Sequence, residues 1–346
     1  MPIIKAEELH EIGFSIFRGV GATEYEANQV MKLLVESNLV GHDSHGVIRI
    51  PSYIDQIMKG NTKLGQNIEI VKESHTTALV NGKWGLGQVI ATQTMNLAIE
   101  KAEENNIGVI STFNCKHIGR MADYVLMAAE NDMIGYCCVN SRPGVVPFGG
   151  IERMFNQSPL GWAIPGKKEP PFVLDISTSV CAGGKIAVAR ARGEKLPPGY
   201  IIDRMGNTSI DPNDFFEGGA ALPMGGPVGY KGFGLAMVID IMAGILSGRG
   251  ASYLGGERGQ GIFQMAISID AFRPVEEFKK EIDDLIGALK KSKVAPGFKE
   301  ILIPGEPERR TKIERLKKGI YISQKTWEEL QKTGQKVNVD IEKIIP

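Results

Sequence analysis

Between residues 75 and 270 the apolar segments keep changing period, and that alternation leaves the chain few architectures. Short β-type runs, TTALVNG (76–82), IGVISTF (107–113), MIGYCCVN (133–140) and FVLDIS (172–177), are separated by stretches with helical spacing. Those helical stretches are GQVIATQTMNLAIEKAEENN (87–106), HIGRMADYVLMAAEN (117–131) and FGLAMVIDIMAGILSG (233–248). GIFQMAISID (261–270) reads as one more strand. Strands alternating with helices must bury both kinds of apolar face in one layered unit, so an α/β lobe is expected.

The two ends read differently. Thr23-x-x-Glu26 is a capping box ahead of an amphipathic run, and the first sixty residues look helical. Beyond residue 270 the chain turns charged and helical, through VEEFKKEIDDLIGALKKSK, PERRTKIERLKKG and TWEELQKTG. At 346 residues the chain exceeds what one core organises. The expected division is a helical domain from 1–74 plus 271–346, packed from both ends, and an α/β domain at 75–270, giving an α/β (α+β) fold class. The most apolar stretch, 232–248, is broken by Asp240 and short for a membrane span, so it reads as a buried helix. The glycine-dense GRGASYLGGERGQG (248–261) is expected to be mobile unless a ligand or partner orders it.

Lysine plus arginine and aspartate plus glutamate both number 40, so the net charge is zero. Without a basic surplus, nucleic acid and anionic membrane are poor partners. The basic stretch RRTKIERLKK (309–318) alternates with acids and reads as a solvated helix face. MPIIKAEELHEIG has acids where an export signal needs an apolar core, so none is expected. Cys115, Cys137, Cys138 and Cys181 form neither C-x-x-C nor a regular framework, which fits reduced thiols in a cytoplasm. Packing is the reading for Cys137 and Cys138.

Five polar constellations stand out against this ordinary core. GHDSHGVIRI (41–50) holds two of the five histidines beside an arginine. On a helix, His45, Arg49 and Tyr53 fall on one stripe with Ser44 nearby. An imidazole and a guanidinium together suit a small carboxylate. Two alternatives stand beside that reading: simple helix capping by Asp43 or Ser44, and a metal site using His42, Asp43 and His45. NCKHIGR (114–120) puts His117 between a β-run and a helix, where a group that titrates near neutrality can pass a proton; it could equally be a residue of the helix start. VLDISTS (173–179) ends an apolar strand with Asp175 and hydroxyls that open a helix, as a phosphate or ribose site or an ordinary cap cluster. LPMGGPVGYKGFGLAM (222–237) sets Lys231 in a glycine-rich loop, like a phosphate cradle without the Walker spacing. In ILIPGEPERR (301–310), Pro307 suits a first helical position. The chain has no G-x-G-x-x-G, so a dinucleotide would not be held on the usual Rossmann turn.

Taken in order and together, GHDSHG…R…Y, H-x-G (117–119), PFGG (147–150), VLD-x-x-TS (173–179), GA-x-LP-x-GG (219–226), KG-x-G (231–234) and PGEPE (304–308) resemble the type-2 malate/L-lactate dehydrogenase family, nearest its hydroxycarboxylate dehydrogenase B branch. The resemblance runs over essentially the whole chain. It implies a non-Rossmann NAD(P)-binding domain with a helical domain from both termini, homodimers or larger oligomers, and a small 2-hydroxy/2-oxo acid substrate. It also implies His117 as proton donor and acceptor, and Arg49 as the carboxylate clamp. His45 and Ser44 would orient the substrate, and Tyr53 would close the site. His45 would also touch NAD, or NADP, together with Gly119, Arg120, Met121 and Asn140. Asp175, Ile176, Ser177, Thr178 and Ser179 would line the same site. So would Tyr230 and Lys231, and the turn Pro304, Gly305, Glu306 and Pro307. Departures from the family pattern at Asn156–Pro159, Ser177 and Phe233 bear on cofactor and substrate preference. A metal-dependent hydrolase or lyase on His42, Asp43 and His45 is the alternative expectation.

Overall fold

The computed structural model describes residues 2–255 and 259–344. A seven-stranded sheet runs in the order Glu69–Glu73, Thr77–Asn81, Ile107–Cys115, Gln260–Ser268, Met133–Asn140, Leu160–Ile164, Phe172–Ile176. Only Thr77–Asn81 and Ile107–Cys115 pair in parallel, across helix Gly87–Asn105; the other ladders are antiparallel. The mixed sheet is unlike a parallel Rossmann sheet, as the missing glycine motif suggested. All five expected β-runs are strands of it. Glu69–Glu73 escaped notice because it is a wholly exposed edge with charges at its ends. It also extends the sheet ahead of residue 75.

Alternation along the central strands separates two cores. Cys137 joins Met121, Tyr124 and Ile262 under helices Gly87–Asn105 and Ala122–Glu130. The next residue, Cys138, faces Ile239, Ala243 and Phe263 on the opposite side. All four cysteines are unpaired and buried.

The two ends of the chain share a third core, in which Leu9, Ile12, Phe17, Val30 and Leu34 pack with Ile320, Ile322, Leu330 and Ile341. Ile3–Ile4 pairs with Ile320–Tyr321. The Thr23 capping box forms, with Thr23 N–H donating to Glu26 Oε2 at 2.9 Å and Glu26 N–H to Thr23 Oγ1 at 3.2 Å. Helix Val275–Lys291 does not go to this lobe. It lies against the sheet's far edge, where Asp283 accepts from the backbone of Lys167 and Lys168, and Lys279 pairs with Asp132. The basic helix Glu306–Lys318 is more than a solvated face: Lys312 holds Glu36, and Arg315 holds Asp43.

A smaller layer went unforeseen. The two-residue strands Ala220–Ala221, Ile201–Ile202 and Thr208–Ser209 form a separate sheet over Val145, Ile186 and Phe215. Strands that short carry no readable alternation. The stretch 232–248 is also not a buried helix. Helix Tyr230–Ile239 runs on into a π-helical turn at Asp240–Ile245. Ala236, Ile239 and Ala243 are covered, but Met237, Val238, Ile241, Ile245 and Leu246 are exposed. Within 248–261, Gly256, Glu257 and Arg258 lie outside the described residues; Ser252–Leu254 forms a turn, and Ser252 donates to Asp240. Among the described residues no helix is long and apolar enough to cross a membrane.

Candidate active site

The segment 42–53 takes its shape from a residue outside it. Asn38, buried in the last turn of helix Glu24–Leu39, accepts from the Val47 N–H at 2.9 Å and donates to Asp43 Oδ1 at 2.7 Å. A Cβ on Gly46 would lie 2.1 Å from Asn38 Oδ1, so only glycine lets the chain pass so close. Two 3₁₀ turns, Asp43–His45 and Val47–Arg49, precede helix Ile50–Met58. The single helical stripe expected for His45, Arg49 and Tyr53 is therefore broken at Gly46. The side chains nevertheless meet: His45 and Tyr53 have ring centroids 5.6 and 6.0 Å from that of His117. Arg49 Nε donates to the Ser44 carbonyl at 2.6 Å, and Ser44 Oγ is 3.2 Å from His45 Nδ1.

His117 sits where the sequence put it, between strand Ile107–Cys115 and helix Ala122–Glu130. Its Nδ1 is 2.6 Å from Tyr53 Oη, which also accepts from Gln88 Nε2 at 3.0 Å. Gln88, in the first turn of helix Gly87–Asn105, was not anticipated; a Cβ on Gly87 would lie 2.2 Å from the His117 carbonyl, so this glycine brings the helix start against the histidine. The signal available was the glycine before it in GLGQV.

Burial, with the charges of Arg49 and His45, holds the His117 imidazole well below its ordinary proton affinity. Burial, then Arg49, lowers His45 to about 3, and burial raises the Tyr53 phenol to about 12. Both imidazoles are thus neutral and the phenol protonated near neutrality. With Gln88 donating to the phenol, Tyr53 O–H can donate to a bare Nδ1, and in that arrangement the His117 proton sits on Nε2. That Arg49 acts on His45, Tyr53 and His117 alike shows how closely the four groups converge.

One cavity takes in two members of this cluster, Tyr53 and His117, and a second lies beside the segments that carry it. The first, of about 220 Å³, is lined by Tyr53, Gln88, Lys116, His117, Ser141 and Arg142, among others. The second, of about 420 Å³, is lined by His42, Arg120, Asp175, Ile176, Glu308 and Lys312, with Pro304, Gly305 and Pro307. Arg120 is 5% exposed and touches Asp123 at 3.2 Å, but its Nε and Nη1 have no hydrogen-bond partner. Burial raises Asp123 to about 6. Asp175 Oδ2 accepts from the Ala122 N–H at 2.9 Å. Unused donors on a buried guanidinium, beside the start of helix Glu306–Lys318, fit the anionic centre of a dinucleotide.

Several expected cofactor residues do not line the larger cavity. Gly119 and Met121 fall in the loop between the cavities, and Met121 packs on Cys137. Asn140 donates to Asp240 in a buried network, while Tyr230 and Lys231 are exposed on the outer helix. Lys231 stands inside that helix and not in a loop. Ser177 bonds to Ser179, and Thr178 Oγ1 to the Gln157 carbonyl; the helix expected to open on these hydroxyls starts later, at Gly183. Glu306 turns to Lys290 and Arg310.

The profile of the malate/L-lactate dehydrogenase family matches residues 4–331. This chain belongs to that family and is a 2-hydroxyacid dehydrogenase. It is 42% identical over 330 residues to a malate dehydrogenase of Pyrococcus horikoshii, covering 93% of this chain and 91% of the relative. It superposes on the solved sulfolactate dehydrogenase of Methanocaldococcus jannaschii with a TM-score of 0.90 at 35% identity, covering all of both chains. The hydroxycarboxylate dehydrogenase B of Escherichia coli O157:H7 is 31% identical over 351 residues, covering 96% of this chain and 94% of that one.

The metal-site alternative is corrected on geometry as well. His42 Nε2 lies 3.4 Å from Glu308, both Asp43 oxygens are taken by Arg315, and His45 stacks on His117. Among the described residues no three His, Cys, Asp or Glu side chains are placed to hold a metal ion.

Proposed function

We propose that this enzyme transfers a hydride reversibly between NAD(H) and C2 of a small 2-hydroxy/2-oxo acid, with His117 carrying the proton. One observation supports this above the rest. The segments 42–53 and 116–122 each run from one cavity to the other: His42 and Arg120 line the larger, Tyr53 and His117 the smaller. A ligand spanning both would meet the imidazole cluster at the junction. Malate and sulfolactate, the substrates in the relatives' names, are acids of this class.

A bound nicotinamide supplies the hydride chemistry. Arg120, Asp175 and the Pro304–Pro307 turn would hold the cofactor. Arg49 grips the acid's carboxylate with its planar fork, while His45 and Ser44 orient the acid. His117, protonated once the acid is bound, donates from Nε2 to the oxygen at C2 in reduction, is left as the neutral imidazole, and takes that proton back in oxidation. A carboxylate against Arg49 offsets the positive charge that depresses His117, so acid binding and proton uptake by the imidazole are coupled. Tyr53 is the partner that orients His117, in place of a group that closes the site.

NAD is favoured over NADP because the nearby Lys312 is already held by both oxygens of Glu36, at 2.8 and 2.7 Å. The exposed apolar face of Met237, Val238, Ile241, Ile245 and Leu246 supports a homodimer or larger assembly. Buried, unpaired thiols support a cytoplasmic setting.

A panel of 2-oxo acids with NADH and NADPH, followed by loss of the reduced-nicotinamide absorbance, tests the reaction. His117→Ala should lower turnover roughly 10²–10⁴-fold and leave NADH binding intact. Undiminished turnover would remove His117 from the role.

A further inference from the structure

Helix Glu306–Lys318 docks through charges rather than apolar side chains, and Glu306 is its one buried residue. The face it turns to the protein is a single stripe. Glu308, Lys312 and Arg315 recur at helical spacing and meet His42, Glu36 and Asp43 in turn. Thr311 lies against the loop between them, where a Cβ on Gly41 would stand 3.1 Å from Thr311 Cγ2. Glu308 and Lys312 border the larger cavity, with His42 and Glu36. Arg315 and Asp43 line neither cavity, so their contact serves something other than direct contact with a ligand.

The Arg315 fork takes both oxygens of Asp43, at 2.6 and 3.0 Å, and its Nη1 also donates to the Asn38 carbonyl. Asp43 opens the turn that carries Ser44 and His45, and its own carbonyl accepts from the Gly46 N–H at 3.1 Å. The Asn38 amide pins that turn at both ends, nitrogen to Asp43 and oxygen to the Val47 N–H. It can do so in one orientation only, which requires the Asp43 carboxylate to stay turned towards it. The planar guanidinium fixes that carboxylate in place. Past the turn, the Ser44 carbonyl accepts from Arg49 Nε, and Ser44 Oγ meets His45 Nδ1, so any shift of the turn moves both groups. Asp43 is half-exposed, and an ion pair so placed adds little to stability. Stability alone therefore does not account for a fork and an amide converging on one carboxylate.

We propose that Asp43 and Arg315 are positioning residues for the acid-binding segment: acting through Asn38, they set where Ser44, His45 and Arg49 stand against the substrate. This rests on the reading that Arg49 grips the acid's carboxylate. One helix then serves both halves of the site. Its first turns border the cofactor cavity, and its last turn holds the segment that receives the acid.

The test measures KM and kcat at saturating NADH for pyruvate, oxaloacetate and 3-sulfopyruvate in the wild-type enzyme, Arg315→Gln, Asp43→Asn and the double variant. NADH affinity is followed by fluorescence titration and Tm by circular dichroism. On the acid that the wild type reduces best, each single substitution should raise KM roughly 10-fold, with kcat changed less and NADH affinity unmoved. The double variant should be no worse than the worse single one, because both remove the same contact. Arg315→Lys, which keeps the charge and loses the fork, should fall between wild type and Arg315→Gln. Lys318→Gln breaks an exposed pair with Glu314 on the same helix and should leave KM where it is. A lower Tm with an unmoved acid KM would mean that the pair only stabilises, and losses that add in the double variant would mean that the two residues act separately; either result overturns the proposal. Wild-type activity on none of the acids would instead overturn the hydride transfer itself, and the positioning role with it.

Discussion

The phenolic oxygen of Tyr53 lies 2.6 Å from Nδ1 of His117, and the phenol stays protonated near neutrality, so the direction of this bond and the His117 tautomer are set together by Gln88. Gln88 donates to the same oxygen, while its own Oε1 is buried without a partner. If the Gln88 amide turns, Oε1 can accept the Tyr53 proton, and Nδ1–H of His117 can donate to the phenol. With Nδ1–H directed at the phenol, neutral His117 has a bare Nε2 to accept the proton in oxidation, and the imidazolium keeps the same bond while Nε2–H donates in reduction.

Tyr53→Phe should therefore lower kcat by roughly 10-fold or more with a small change in KM, since it leaves Nδ1 and Gln88 unpartnered. Because Tyr53 acts through His117, the pH dependence of kcat should shift as well. A variant with reduced kcat but an unmoved pH profile would mean that Tyr53 only fills space.

Arg49→Lys should raise KM for the 2-oxo acid about tenfold or more and change kcat less, because a point charge does not replace two parallel hydrogen bonds. Steady-state kinetics at saturating NADH measures this. An unchanged KM would place the carboxylate elsewhere.

How much of this was legible follows from where each constraint acts. The β-runs could be read because the central strands are covered on both faces and so stand out as short continuous apolar runs, with adjacent Cys137 and Cys138 serving opposite cores. His117 could be read because a strand and a helix flank it locally. The Gly46 break could not, since its cause is a buried Asn38 in the preceding helix, and nothing local forbids a continuous helix through 43–53. Gln88 and Arg120 were opaque or half-seen for a related reason. Their significance lies in partners present or absent after folding, such as Tyr53 for Gln88 and the unused Nε of Arg120. The outward apolar face of 232–248 reads as buried in sequence because composition does not distinguish a core from an exposed apolar surface.

Arg120→Lys tests the larger cavity. The ammonium keeps a positive charge near buried Asp123, so the fold should survive, but the fork that leaves Nε and Nη1 unused is gone. NADH affinity, measured by fluorescence titration, should weaken roughly 10-fold, with the KM of the acid nearly unchanged. Unaltered NADH affinity would show that the unpaired guanidinium atoms do not meet the cofactor.

Stability should fall as the solution is acidified below pH 6.5. His45 and His117 have folded proton affinities below the ordinary histidine value, the former at about 3, so below pH 6.5 the unfolded chain binds protons that the folded chain refuses. Each such histidine costs about 1.4 kcal/mol per pH unit within its window, which for His45 extends down to about pH 3. Asp123, raised to about 6, acts in the opposite sense: its folded form holds a proton that the unfolded one releases, so it adds stability as pH falls from 6 towards 4. Asp175, also raised by burial, works in the same direction as Asp123. The total slope mixes these contributions, but the difference between wild type and His45→Gln isolates one of them. Urea unfolding at pH 7, 6 and 5 should show the variant losing about 1.4 kcal/mol per pH unit less than wild type below pH 6. Parallel stability curves for the two proteins would mean that His45 takes up a proton in the folded state, and so is not the neutral ring stacked on His117 from which the proton path is argued.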